Sequence, residues 1–168
     1  SQIEQKLNSN TISIYDLKTK QIRLDATTMS GNHLVSESGL FQFGHSKDDP
    51  NLAQIKVMLA SLDPLGMPLA TTVVSGEQAD DGLYLPILEQ VSLNLEQPEL
   101  LWVGDCKMSS QETRGYIHQQ QHYYLTPLSR VGKVKELINQ WVNQVIRGGT
   151  SGQEIIRVDS EGQSRRIA

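Results

Sequence analysis

Short apolar runs with alternating spacing dominate the first half of the chain and predict β-strands. Four runs share this pattern: 11–15, 21–29, 55–62 and 67–74. The last two flank Asp63-Pro64-Leu65-Gly66, whose Pro and Gly are typical of a tight turn, so they predict a β-hairpin. The polar segment 30–52 is long for a connection in a compact domain, which is typical of a functional loop.

A helical spacing of apolar residues replaces the alternation in the second half of the chain. Asp80 and Asp81 are candidate N-caps for a helix that begins close to residue 83. A second helix is predicted from 109 to 121, and strands are predicted on either side of it, at 99–104 and 122–128. A third helix ends before Gly148 and carries a continuous apolar stripe: Val134, Leu137, Ile138, Trp141, Val142, Val145 and Ile146.

This order of elements predicts an α/β fold. Three antiparallel strands followed by parallel βα units give a mixed sheet flanked by helices, and a right-handed crossover places strand 99–104 parallel to strand 21–29. We expect Trp102 and Trp141 in the core, and we expect Cys106 to be a small buried residue rather than a nucleophile.

Two aspartates stand at the ends of apolar runs that are predicted to be neighbouring strands. Asp25 follows Ile22-Arg23-Leu24, and Asp105 closes the run 100–104. A buried carboxylate costs several kcal/mol unless something compensates its charge, so two of them suggest a pair that shares a cation. Ligands of such sheets collect at the carboxyl ends of the strands. We therefore expect the side chains of Asp25 and Asp105 to meet across adjacent strands.

The composition is that of an ordinary soluble protein, with 38% hydrophobic and 20% charged residues in 168, a length typical of one domain. The single cysteine excludes an internal disulfide framework, and we expect a cytoplasmic protein. The net charge of -4 is uneven: no Lys or Arg lies between Lys56 and Lys107, while basic residues outnumber acidic ones from Lys107 onward. Charge alone favours a solvated acidic face over a cation site beside a basic flank for phosphate.

Four stretches of the sequence carry a resemblance to a known family. They are RLDATTMSG at 23–31, FGHSKDDPNLAQIKVMLASLDPLGMPLATTVVSGEQADD at 43–81, LLWVGDCKMSSQETRGYI at 101–117 and HYYLTPLS at 122–129. In order and content they resemble the ribonuclease-H-like catalytic core of DDE transposases from bacterial insertion sequences, in the broad IS-four-like group. The resemblance covers most of residues 12–146.

The resemblance implies metal-dependent cleavage and strand transfer of DNA. In that family three acidic residues hold two Mg²⁺ ions, for which Mn²⁺ can substitute. The first two fall on Asp25, expected to bridge both ions, and Asp105, expected to bind one. The third, a glutamate, lies beyond an inserted domain in the family, and neither Glu136 nor Glu154 has its surrounding signature.

The same resemblance implies that the chain is part of a longer protein. Residues 11–147 are expected to form the catalytic core without its third acidic residue, and 148–168 to begin an inserted β region or a disordered tail. We expect little or no turnover from this chain alone.

The implied partners are the ends of the insertion element and target DNA. In the full-length synaptic complex we expect a homodimer, in a bacterial cytoplasm and at the nucleoid when DNA is bound, without a membrane partner. The candidate DNA contacts are Lys107, His45, Lys47, Arg114 and Arg130. His118 and His122 lie four residues apart, but without a third ligand they indicate a polar surface rather than a metal site.

Three other hypotheses remain open. One is an inactive remnant of a decayed element, which a stop codon in the flanking reading frame would favour. Another is a different ribonuclease-H-like nuclease or resolvase, which would cut DNA without joining it. The last is a plain α/β binding module, in which Arg or Lys would form salt bridges with both aspartates.

Overall fold

The computed structural model describes residues 2–45, 49–95 and 97–149, together with the backbone of 156–158 and 164–166. Its contacts divide the chain into two compact units, Ser1–Leu128 and Ser129–Ala168, where the length had suggested one domain.

The first unit contains three helices, five strands and two short 3-10 turns among its described residues. The helices are α1 (Gln2–Ile14), α2 (Tyr84–Leu95) and α3 (Gln111–Gln119). The strands are β1 (Gln21–Gly31), β2 (Ala53–Leu62), β3 (Met67–Ser75), β4 (Leu101–Val103) and β5 (Tyr123–Leu125). The Asp80 turn (Asp80–Leu83) leads directly into α2, and the Cys106 turn (Cys106–Ser109) follows β4.

The five strands form one mixed sheet in the order β3-β2-β1-β4-β5. Strand β1 pairs with β2 in antiparallel register and β2 with β3 likewise, which confirms the predicted hairpin. On its other edge β1 is parallel to β4, and β4 is parallel to β5. The α/β fold class, with three antiparallel strands followed by parallel βα units, is therefore confirmed.

One face of this sheet packs against the helices and forms the core. In β1 the burial alternates, with Ile22 and Leu24 buried and Arg23 and Asp25 exposed. The buried face meets the apolar side of α2, and the cluster also includes Trp102. Each fully buried aliphatic or aromatic side chain of this kind contributes roughly 1.5 to 3 kcal/mol to folding. This burial pattern fixes which residues of β1 and β4 point away from the core.

The strand predicted at 11–15 is wrong, because residues 11–14 belong to α1. The run contains β-branched residues that favour strands, but packing against the rest of the protein overrides such preferences. Partly buried Ile12 packs against the core, and the buried Asn8 side chain donates a hydrogen bond to the Leu69 carbonyl oxygen at 2.7 Å. These contacts attach α1 to β3.

The second unit contains α4 (Gly132–Ile146) and the antiparallel pair β6 (Ile156–Val158) and β7 (Ser164–Arg166). The predicted third helix is confirmed, but none of its residues is buried within the described part of the chain. Trp141 is 52% exposed, so its predicted core position is wrong. An apolar stripe identifies the face of a helix that can be buried, but it does not determine whether that face is buried.

In the first unit Trp102 is fully buried as predicted, whereas Cys106 is exposed, contrary to prediction. Cys106 opens a turn at the end of β4, after the chain has left the sheet, and therefore does not share the burial of the strand. Among the described residues, no helix combines the length and hydrophobicity needed to cross a bilayer.

Close packing around Gln54 joins the 40–45 segment to the hairpin. The buried Gln54 amide donates to the Gly76 carbonyl oxygen at 2.8 Å, and a Cβ at Gly76 would lie 2.0 Å from the Gln54 carbonyl oxygen. We expect Gly76→Ala to lower the free energy of unfolding by about 2 kcal/mol, because backbone must move. Gly82→Ala is the control, since a Cβ there meets nothing within 4 Å. Equal urea midpoints for the two variants would contradict this packing.

Candidate functional site

Asp25 lies in β1, and Asp105 lies two residues beyond the end of β4, the parallel neighbour of β1. The parallel ladder between these strands ends with Arg23 opposite Val103, and each aspartate follows two residues beyond this last pair. Continuing the register would set Asp25 opposite Asp105. Side chains two residues apart in a strand point to the same face, so Asp25 shares the face of Arg23, away from the core.

Both aspartates are exposed, so the assumption that they are buried charges is wrong. In β1 the alternation places Asp25 on the open face of the sheet, and Asp105 stands where β4 gives way to the Cys106 turn. The prediction that they belong to adjacent parallel strands agrees with the structure, but Asp25 lies inside β1 (Gln21–Gly31) rather than at its end, because the strand continues for six residues beyond it. The energetic reason given for their positions was wrong, because exposed carboxylates carry no large desolvation cost.

Asp105 is oriented by two hydrogen bonds to one of its oxygens. Its Oδ1 accepts from the Tyr84 hydroxyl at 2.6 Å and from the Lys107 backbone N–H at 2.8 Å. The second bond makes Asp105 the N-cap of the Cys106 turn. Within the described residues Oδ2 accepts no hydrogen bond. One oxygen is therefore fixed by the protein and the other is available to a ligand.

Asp25 has no hydrogen bond or ion pair with any described residue. The nearest cation along its strand, Arg23, donates instead to Asp63 Oδ2 at 2.7 Å. Arg or Lys bound to both aspartates was the expected sign of a plain binding module, and the described residues do not show it.

Tyr84 connects the acidic residues of the site. Its ring is buried, with 1% of the residue exposed, and its hydroxyl reaches Asp105. Burial raises the pKa of Tyr84, and the hydrogen bond to Asp105 and the charges of Asp105, Asp25 and Asp80 raise it further. Three carboxylates thus act electrostatically on one hydroxyl.

Tyr84 was missed in the sequence, although a signal was present. It lies three, four and seven residues before Ile87, Leu88 and Val91, so it continues the apolar stripe of the predicted helix. A tyrosine on a buried face usually needs a hydrogen-bond partner for its hydroxyl. That need pointed to a polar group nearby but could not identify Asp105.

A cavity of about 470 Å³ opens next to the aspartates. Its lining residues are Ala26, Thr27, Thr28, His45, Lys56, Ala79, Asp80, Asp81 and Lys107. The three residues from β1 directly follow Asp25, and Lys107 follows Asp105 by two positions. Two of the predicted DNA contacts, His45 and Lys107, are therefore brought together in one cavity beside the candidate site.

Two ion pairs form between residues that line this cavity. Lys56 Nζ lies 2.6 Å from Asp80 Oδ1, with side-chain exposures of 7% and 35%, so its ammonium group is largely buried. Lys107 Nζ lies 3.4 Å from Asp81 Oδ1, and Asp81 raises the pKa of Lys107. The predicted capping role of Asp80 and Asp81 is wrong: the N-cap is Ala79 and makes no side-chain hydrogen bond. A buried ammonium needs a counter-ion more than an exposed helix terminus needs a cap.

The other predicted residues are placed as follows. Lys47 lies outside the described residues. Arg114 is exposed on α3 and does not appear in the described lining of the cavity, and Arg130 is exposed in the second unit. His122 accepts a hydrogen bond from the Leu100 N–H at 3.3 Å, and partial burial lowers its pKa. His118 is exposed.

The donor chemistry of the site fits a hard divalent cation. Mg²⁺ prefers oxygen ligands and usually takes one or two carboxylates, with water and phosphate completing its shell. The Asp25 carboxylate has no hydrogen-bond or ion-pair partner among the described residues, and one Asp105 oxygen accepts no hydrogen bond from them. The described part of the chain contains no group of three or more His, Cys, Asp or Glu that could hold a metal. The two aspartates are therefore a partial ligand set.

Comparison with known proteins gives the fold rather than a family. No protein-family model matches the sequence, and no curated protein matches it. Solved structures do match. A piggyBac transposase synaptic complex with hairpin DNA is similar with a TM-score of 0.51 and 10% identity, over 93% of this chain and 34% of that chain.

Two further structures are similar at lower scores. The HTLV-2 integrase catalytic core domain in complex with magnesium has a TM-score of 0.41 and 13% identity, over 79% of this chain and 73% of that one. A Mos1 mariner paired-end complex with Mn has a TM-score of 0.45 and 11% identity, over 86% and 54%. The chain spans about a third of the piggyBac chain and about half of the Mos1 chain. Its mixed five-stranded sheet with flanking helices is a ribonuclease-H-like fold, which it shares with the piggyBac transposase.

Proposed function

We propose that this chain is the catalytic-core portion of a DDE transposase from a bacterial insertion sequence, in the IS-four-like group. The observation that carries the proposal is the placement of Asp25 within β1 and Asp105 two residues beyond the end of β4, its parallel neighbour, where continuation of the register sets them opposite each other and the Tyr84 hydroxyl binds Asp105. The sequence stretches that resemble this family, and the fold shared with a piggyBac transposase, support the same conclusion.

Asp25 and Asp105 would hold the Mg²⁺ or Mn²⁺ ions. Bound divalent ions activate the attacking oxygen and stabilise the leaving oxygen in phosphoryl transfer. The protein's own contribution is to present two carboxylates from strands whose spacing is fixed by backbone hydrogen bonds. Lys107 and His45 line the neighbouring cavity, where a cation can counter the charge of a DNA phosphate. The glutamate that completes the family's acidic set would lie outside this chain.

DNA is the proposed partner, as the ends of the element and as the target. The full-length protein would act as a homodimer in the synaptic complex, in the cytoplasm and at the nucleoid. We further propose that 11–147 is the core and that 148–168 begins an inserted β region or a disordered tail. The strands β6 and β7 fall in the latter range.

Titration of the 168-residue chain with Mn²⁺ tests the metal site without requiring catalysis. We expect one weak binding event, seen as enhanced water-proton relaxation, that Asp25→Asn and Asp105→Asn each weaken at least about tenfold, because each removes a charged oxygen ligand. Asp16→Asn is a matched control, since Asp16 is an exposed turn residue with φ of 48°, a conformation that Asn tolerates. Binding that survives both site substitutions would refute the proposed metal site.

A further inference from the structure

The Asp105 carboxylate receives both of its described hydrogen bonds on one oxygen. The Tyr84 hydroxyl and the Lys107 N–H converge on Oδ1, at 2.6 and 2.8 Å. We propose that Tyr84 is a positioning residue that holds Oδ1 of Asp105 and thereby turns Oδ2 toward the cation. The proposal rests on the proposed function, because it concerns how well the same site binds its metal.

The geometry of the contact supports a strong interaction. A hydroxyl bound to an ionised carboxylate at 2.6 Å has the short distance typical of a charge-assisted hydrogen bond. Such bonds are roughly twice as strong as neutral ones. Partners of metal-ligating side chains orient those ligands, and their loss typically costs 10- to 100-fold in metal affinity.

Tyr84 can act in this way because its own position is fixed. It is the first residue of α2, and its buried ring packs in the core cluster with α2 and the sheet. The preceding Asp80 turn is tied to β2 by the Lys56–Asp80 pair at 2.6 Å. The hydroxyl is thus carried by a ring that can hardly move, and the direction of the hydrogen bond is set by packing.

A purely structural role for Tyr84 makes a different prediction. The Cys106 turn already has its cap in the bond from the Lys107 N–H, so that turn does not need the tyrosine hydroxyl. If Tyr84 only fills the core, Tyr84→Phe keeps the ring and leaves metal affinity unchanged. Removing only the hydroxyl therefore distinguishes a positioning role of Tyr84 from a purely structural one.

The experiment compares the Mn²⁺ affinity of Tyr84→Phe with that of wild type and of Tyr116→Phe in the 168-residue chain. Tyr116 is a partly buried tyrosine packed against the same core, so it controls for loss of a hydroxyl. We expect Tyr84→Phe to weaken Mn²⁺ binding about tenfold and Tyr116→Phe to leave it unchanged. Thermal unfolding of each variant reports folding separately.

A second pair of variants keeps the test valid if Tyr84→Phe does not fold. Residue 84 is replaced by 4-aminophenylalanine or 4-methylphenylalanine, whose substituents have similar size but only one of which can donate. We expect the amino form to bind Mn²⁺ more tightly than the methyl form. Equal affinities in both comparisons would overturn the role of Tyr84 and leave the metal site intact. Absence of Mn²⁺ binding in wild type would instead refute the metal site itself, and with it the role of Tyr84.

Discussion

If this chain is the core of a transposase, as proposed, replacing Asp105 with asparagine in the full-length transposase is expected to lower metal-dependent nicking of DNA by about a thousandfold or more. The substitution keeps the size of the side chain and an oxygen that can accept from Tyr84, but it removes the negative charge that would bind the cation. Metal ions stabilise the charge of the transition state by several kcal/mol, and each 1.4 kcal/mol is a factor of ten in rate.

The measurement is conversion of supercoiled plasmid to the open circle in Mg²⁺ and in Mn²⁺, with Asp16→Asn as the control. Asp16 lies in the turn before β1 and has no part in the site. A variant Asp105→Asn that nicks DNA as fast as wild type would remove the chemical basis of the proposal. Joined products should accompany nicking by wild type, since cutting without joining would indicate a different ribonuclease-H-like nuclease.

Removal of Asp80 is expected to destabilise the first unit by about 3 kcal/mol. In Asp80→Ala the ammonium group of Lys56, whose side chain is 7% exposed, loses its counter-ion at 2.6 Å and remains in a place that water reaches poorly. Breaking a buried pair from one side typically costs 3 to 5 kcal/mol, and the partial exposure of Asp80 places this case at the lower end. For a unit of this size the melting temperature should fall by about 10 °C.

The opposite substitution, Lys56→Met, is the informative control. Methionine fills the space of the lysine stem without a charge, and Asp80, at 35% exposure, can be hydrated after it loses its partner. We expect its free energy of unfolding to lie within about 1 kcal/mol of wild type. If urea unfolding shows that Asp80→Ala and Lys56→Met lower the free energy of unfolding equally, the unpaired buried charge of Lys56 is not the main cause of the destabilisation.

Much of the fold could be predicted because its sequence pattern is local. The runs at 21–29, 55–62 and 67–74 alternate between buried and open faces, and the structure gives β1, β2 and β3 there. The parallel pairing of the Asp25 strand with the strand before Asp105 was predicted from a right-handed crossover, whereas their register is known only from the structure. In these segments the β-propensity of the residues, the hydrophobic periodicity and the packing all favour the same strands. This agreement is what allows a structure to be predicted from sequence.

The errors arose where long-range contacts decide the outcome. Residues 11–14 favour a strand locally but join a helix that packs on β3. Asp80 is a residue type common at helix N-caps, but its carboxylate instead binds Lys56, which lies 24 residues earlier in the sequence. Trp141 lies on an apolar stripe, yet a stripe does not state what will cover it. The contact between Tyr84 and Asp105 needed α2 to be placed on the sheet before it could be seen.

The bond from the Lys107 N–H to Asp105 has a consequence for how the site can vary. A main-chain amide is the same for every amino acid except proline, so this donor does not depend on which side chain stands at 107. Under the proposed function, the charge offered to a DNA backbone at residue 107 can therefore change by substitution while the Asp105 carboxylate keeps its orientation. Selection for a different DNA partner and selection for metal geometry would then act on different groups of a single residue.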